Sequence, residues 1–166
     1  MNTSINDAFI RRLKLQSQAC DNHVRIHADH VSLTDKLQRT IEEFSLFDDP
    51  HDRLAAVLDR ARRLPPLPDA ERTAAHRVQG CVSVVWLIGE HREGRCYFRS
   101  DATSPLVRGL VGFVGTFFSD TPPAEILASD ADPLEALDLV RNLSPTRRHG
   151  LAAVRASIFE FARQCS

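Results

Sequence analysis

Paired cysteines are missing from this chain. Its four cysteines, Cys20, Cys81, Cys96 and Cys165, are scattered, and no C-x-x-C occurs. That excludes a disulfide framework and gives no thiolate cluster for a structural zinc site. Neither sign of charge is in excess: 21 Lys and Arg stand against 22 Asp and Glu, a formal net charge of −1. A nucleic-acid partner needs a basic field, which is absent. No apolar run approaches the roughly 20 residues of a membrane-spanning helix. The N-terminus lacks the basic-then-apolar pattern of a secretory signal. Glycine-rich phosphate loops are lacking too, because Gly109, Gly112 and Gly115 fall inside a helical pattern rather than ahead of one. There is no internal repeat and no low-complexity tract. Together these absences predict reduced thiols in a cytosolic protein without membrane association.

What the chain does have is a clear set of helix starts. Asp49-Pro50, Ser104-Pro105, Thr121-Pro122, Asp132-Pro133 and Ser144-Pro145 each pair an N-cap side chain with a proline at the first helical position. Acidic Asp52, Glu125 and Glu135 follow in the first turns, as the positive end of a helix favours. Ser32 with Asp35 resembles a capping box ahead of the stripe Leu33, Leu37, Ile41 and Phe44. Further stripes run through Leu54, Val57, Leu58 and Ala61, through Leu106, Leu110, Val114, Phe117 and Phe118, and through Leu151, Val154, Ile158, Phe161 and Ala162. Glycine inside the third of these helices costs about 1 kcal/mol at each position relative to alanine. It predicts close approach to a sheet or to the loop of Cys81.

Strand signals occur in one place. Residues 82–88 are β-branched and aromatic, 90–94 are polar, and 95–99 alternate with Cys96 and Phe98 on one face. The pattern predicts a hairpin, with a short third strand at His76 to Gln79. The fold class is therefore α+β, a small antiparallel sheet with helices packed on one face. Residues 1–31 read as an N-terminal extension, a partly frayed helix, and 32–166 as the domain. Cys20, His23, His27 and His30 share one helical face in that extension, but four ligands from one helix cannot close a tetrahedral metal site. No metal is expected.

One residue carries potential chemistry. Cys81 follows Gly80 where a Pro-rich, helical segment passes into the β-forming run. Glycine lets the backbone bend there, and the strand behind can hold the thiol at a loop tip. The bland alternative is a small apolar residue under a turn, since free cysteine is usually buried and inert. His76 and Arg77 lie just upstream, and cations near a thiol raise its thiolate fraction. A cysteine hydrolase would need a histidine and an orienting Asn or Asp as well, and the sequence marks no such set.

In this order the motifs are similar to those of the SufE/CsdE family of sulfur acceptor proteins. The resemblance covers roughly residues 33–164 of the chain. Leu64-Pro65-Pro66-Leu67-Pro68, Arg72, Val78-Gln79-Gly80-Cys81, Ser83 and Val85-Trp86 resemble the family's active-cysteine region. Ser100-Asp101 with Leu106-Val107-Arg108-Gly109-Leu110, and Leu143-Ser144-Pro145-Thr146-Arg147 with Gly150-Leu151, resemble its later segments. The chain departs from the family with Val82 where Gln is usual, His76 where Asn is common, and a thinned Asp101-Ala102-Thr103. The resemblance implies that Cys81 accepts sulfur from a PLP-dependent cysteine desulfurase of SufS or CsdA type and passes it to an iron–sulfur scaffold protein. It implies a carrier and activator rather than an enzyme, with no cofactor of its own. Arg147 is the implied docking residue, and Asp101 is expected to hold the turn around the cysteine loop. Val82 motivates the alternative, a partner-binding module of the same fold that no longer carries sulfur efficiently. Cys81 is expected in a loop or at a strand start, near the helix of Gly109, with its sulfur shielded or partly exposed.

Overall fold

A computed structural model describes residues 31–141 and 143–166. The expected N-terminal extension, with Cys20, His23, His27 and His30, lies outside them. The described chain runs through α1 (Leu33–Phe44), α2 (Pro50–Arg62), two short 3-10 turns, the hairpin β1 (Val85–Arg92) and β2 (Arg95–Ala102), then α3 (Pro105–Phe118), α4 (Pro123–Ala128), α5 (Pro133–Ala136) and α6 (Pro145–Gln164). This is an α+β fold, and the helices start where the proline dipeptides place them. Asp49, Asp132 and Ser144 cap their helices with side-chain oxygens, and Ser32 accepts from the Asp35 N–H. Thr121-Pro122 differs by one residue. There Pro122 is the N-cap and the helix begins at Pro123, because Thr121 is drawn into a backbone bridge with Cys96.

α3 is the centre of the described domain. It is apolar nearly all round, as a helix surrounded by other elements must be. Leu110, Val111, Val114 and Phe118 are buried in it. Its neighbours are β2, α2, α6, α5 and α1. The glycines of α3 do bring it close to other elements. A side chain at Gly109 would meet Leu58 and one at Gly112 would meet Leu64, so these two face α2; Gly115 lies against Phe98 of β2. The loop of Cys81 is not what they approach.

The hairpin is longer and shifted relative to the sequence expectation. Its register runs from Val85 opposite Ala102 to Arg92 opposite Arg95. Only Glu93 and Gly94 form the turn, with φ of 52° and 74°. A two-residue turn with both residues left-handed matches the twist of the strands, so pairing continues through the polar residues 90–92. Cys96 and Phe98 face the core as expected. The third strand reduces to a single bridge between Arg77 and Trp86, because His76 ends a 3-10 turn. Residues 82–84 are excluded from β1 and belong to the loop before it.

Candidate functional site

That loop is closed at its neck. The Val78 N–H donates to the Val85 carbonyl at 2.9 Å, and the Thr103 N–H donates to the Val84 carbonyl at 3.1 Å. Between these ties Gly80 takes φ of 86°, a left-handed conformation that costs glycine nothing. The bend sends the chain toward α6, where Gly80 lies over Ala153 and His149. Cys81 follows at the tip, half-buried, while Val82 turns outward and is 81% exposed. The sequence reading of a thiol held on a loop by a strand is met in this geometry.

The sulfur rests on the last helix. Cys81 Sγ donates to the Gly150 carbonyl at 3.3 Å. Burial pushes the thiol above its ordinary pKa. The expectation that His76 and Arg77 would make the thiol more acidic is therefore overturned. His76 Nδ1 is held 2.8 Å from the Glu71 carbonyl, and the exposed Arg77 pairs its backbone with Trp86. Neither residue bears on the sulfur.

Beside Cys81 opens a cleft of about 440 Å³. Its apolar wall comes from Val107, Leu110 and Val111 of α3 and from Leu151 of α6. Its polar side is Ser144, Thr146 and Arg147, at the start of α6. The helix that carries Gly109 is thus near Cys81, through another face than its glycines. Arg147 is exposed, at the mouth of the cleft, with its backbone N–H directed to Ser144 Oγ at 3.4 Å. Among the described residues, no imidazole or carboxylate lines the cleft. A hydrolase triad around Cys81 therefore has no members there.

Asp101 is placed elsewhere. It is buried on β2 and accepts from the Leu67 N–H and from Arg72 Nε and Nη2, with Arg108 Nε at 3.3 Å. It ties the Pro-rich segment to the sheet rather than holding the turn around the cysteine. A carboxylate cannot stay buried without such partners, which is why it binds two arginines. The other described cysteines stand apart from the site. Cys96 is fully buried, and burial, followed by the neighbouring Cys165, pushes its thiol up to about 11.

Two residues that meet the cysteine loop had no role read from the sequence, although Gly150 stood in a segment that resembles the family's. Gly150 seats the sulfur, and His149 Nε2 lies 3.7 Å from where a Gly80 side chain would begin. A glycine inside a long helical stripe was a signal for the first. Nothing in the pattern marked the second.

Fold and site together define a class: a small α+β domain that presents one half-sheltered thiol on a pinned loop beside an apolar cleft. Among the described residues no group of His, Cys, Asp or Glu could hold a metal, and no helix is long and apolar enough to cross a membrane. The chain belongs to the SufE family, because residues 38–162 match the Fe-S metabolism associated domain. It is 36% identical over 132 residues to an uncharacterized SufE-like protein of Rhizobium etli, covering 76% of this chain and 89% of that one. An uncharacterized SufE-like protein of Synechocystis is 31% identical over 121 residues, covering 73% and 76%. A stretch of the chloroplastic quinolinate synthase of rice is 40% identical over 114 residues, which is 67% of this chain but 16% of that enzyme. The fold is shared with a hypothetical protein of Thermus thermophilus solved in solution, with a TM-score of 0.62 at 20% identity, covering 78% of this chain and 95% of that one. Membership of the family associates this chain with iron–sulfur metabolism.

Proposed function

We propose that this chain is a cytosolic sulfur acceptor and carrier that takes sulfur from a cysteine desulfurase onto Cys81 and thereby stimulates that enzyme. The observation that carries the reading is the loop: a single thiol at its tip, tied at the neck, with an apolar cleft next to the sulfur. The Cys81 thiolate attacks the outer sulfur of the donor's cysteine persulfide. A new S–S bond forms at Cys81 as the donor's S–S bond breaks, and the donor cysteine leaves as thiolate. One persulfide is made and one consumed, so no outside oxidant is needed. PLP chemistry stays with the partner, and this chain is a carrier rather than an enzyme. The persulfide then passes to an iron–sulfur scaffold protein by the same exchange.

In the resting loop the sulfur is a neutral thiol, and exchange requires thiolate. Docking must therefore draw Cys81 off the Gly150 carbonyl. Arg147 at the mouth of the cleft and the exposed Val82 beside the thiol are the residues that a docked partner would meet first. Val82 also supports the second reading, a binding module that docks without transferring sulfur. Mass spectrometry separates the two. After incubation with a cysteine desulfurase and cysteine, the peptide holding Cys81 gains one sulfur atom if the chain is an acceptor. Absence of that adduct with every desulfurase that binds the chain would leave the binding module.

A further inference from the structure

Glycine is among the poorest helix formers, yet Gly150 is the sixth residue of α6. Its backbone conformation does not require it, since φ is positive only at Gly80 and Gly94 among the described glycines. Space requires it. A Cβ placed on Gly150 would lie 3.3 Å from Cys81 Sγ, 3.7 Å from Cys81 Cβ and 3.8 Å from Cys81 Cα. All three nearest atoms belong to one residue, the acceptor cysteine. Of the two partners in that contact, the loop is the one able to give, because Gly80 and Val82 on either side of Cys81 are exposed.

We infer that Gly150 is a positioning residue for Cys81: its missing side chain is the seat that keeps the sulfur against α6, away from free electrophiles, until a docked partner draws the loop out. The inference rests on the sulfur-acceptor reading for its purpose but on the contact alone for its geometry. A carrier whose thiol stood open would be lost to any small electrophile or disulfide in its surroundings. Seating reserves the thiol for a donor that binds. With a side chain at position 150 the cysteine loop must give by a few tenths of an ångström, which loosens the contact of Sγ with the carbonyl and shifts the sulfur toward water, both of which favour ionisation. The charged and titratable groups nearest the loop are Arg147 at the cleft, His149 beside Gly80, and His76 and Arg77 upstream. The substitution alters none of them.

The test uses Gly150→Ala in the full chain, with iodoacetamide as probe and peptide mass spectrometry to follow Cys81 across a pH series. The expected result is alkylation of Cys81 at neutral pH severalfold faster than in the wild-type chain. The midpoint of the profile should move down toward that of an ordinary thiol. Alanine is the better helix former, so the melting temperature should hold or rise. Gly150→Ser fills the same space and should accelerate alkylation as well. An unchanged rate and midpoint in both folded variants would overturn the proposal. So would a lower melting temperature in Gly150→Ala, which would show that the glycine serves helix packing. No desulfurase is present in this assay, so its outcome is independent of whether Cys81 carries sulfur.

Discussion

Replacing Asp101 with alanine tests the most heavily connected polar group in the described fold. The carboxylate is 3% exposed and meets Arg72, which is 32% exposed, and Arg108, which is 40% exposed. It also accepts from the backbone N–H groups of Leu67 and Ala102. Removing one partner of a buried ion pair typically costs about 3–5 kcal/mol. Both arginines keep access to water, so they are not stranded, and the lower end, about 3 kcal/mol, applies. The Leu67 N–H loses its acceptor in the same step. For a chain of this length the loss corresponds to a fall in melting temperature of about 6–12 °C. The assay is thermal and urea unfolding of wild type, Asp101→Ala and Asp101→Asn, with the asparagine variant falling between the other two. A loss below about 1 kcal/mol for Asp101→Ala would refute the reasoning. The alkylation rate of Cys81 should hardly change, because no contact of Asp101 reaches the cysteine loop.

Other outcomes follow from the same geometry. Gly89→Ala should cost about 1–3 kcal/mol by overpacking, because its new methyl would lie 2.6 Å from the Phe161 ring; a urea midpoint equal to wild type would contradict this. Stability should fall as pH rises through the window from the ordinary thiol value of 9.0 to about 11, where the fold retains the Cys96 proton and the unfolded chain has released it. Cys96→Ala should flatten part of that slope, and parallel curves for the two proteins would remove the argument. Arg147→Ala should weaken docking to the desulfurase without changing the melting temperature, since its side chain is exposed; equal affinity would leave Arg147 a solvated first-turn residue.

Most of the helical frame was legible because proline at a first helical position acts locally, and the caps at Asp49, Asp132 and Ser144 need no distant partner. Thr121 slipped by one residue because a tertiary bridge to Cys96 competes for its backbone. Strand ends were less legible: a two-residue turn lets polar residues pair, while the bend at Gly80 carries the chain toward α6 and residues 82–84 stay in the loop before β1. The position of Cys81 could be read from the Gly80 bend. Its ionisation could not, since that depends on burial against a helix distant in sequence. The same holds for Asp101, whose partners Leu67 and Arg72 are brought to it only by the fold.

Desulfurase turnover with cysteine as substrate tests the central claim most directly, measured alone, with the wild-type chain and with Cys81→Ser, alongside a binding measurement. Serine cannot hold a persulfide, and its hydroxyl is far too weak an acid to replace the thiolate. Stimulation is expected from the wild type, none from Cys81→Ser, and binding from both. Equal stimulation by the two proteins would mean that Cys81 carries no sulfur, and would contradict the account.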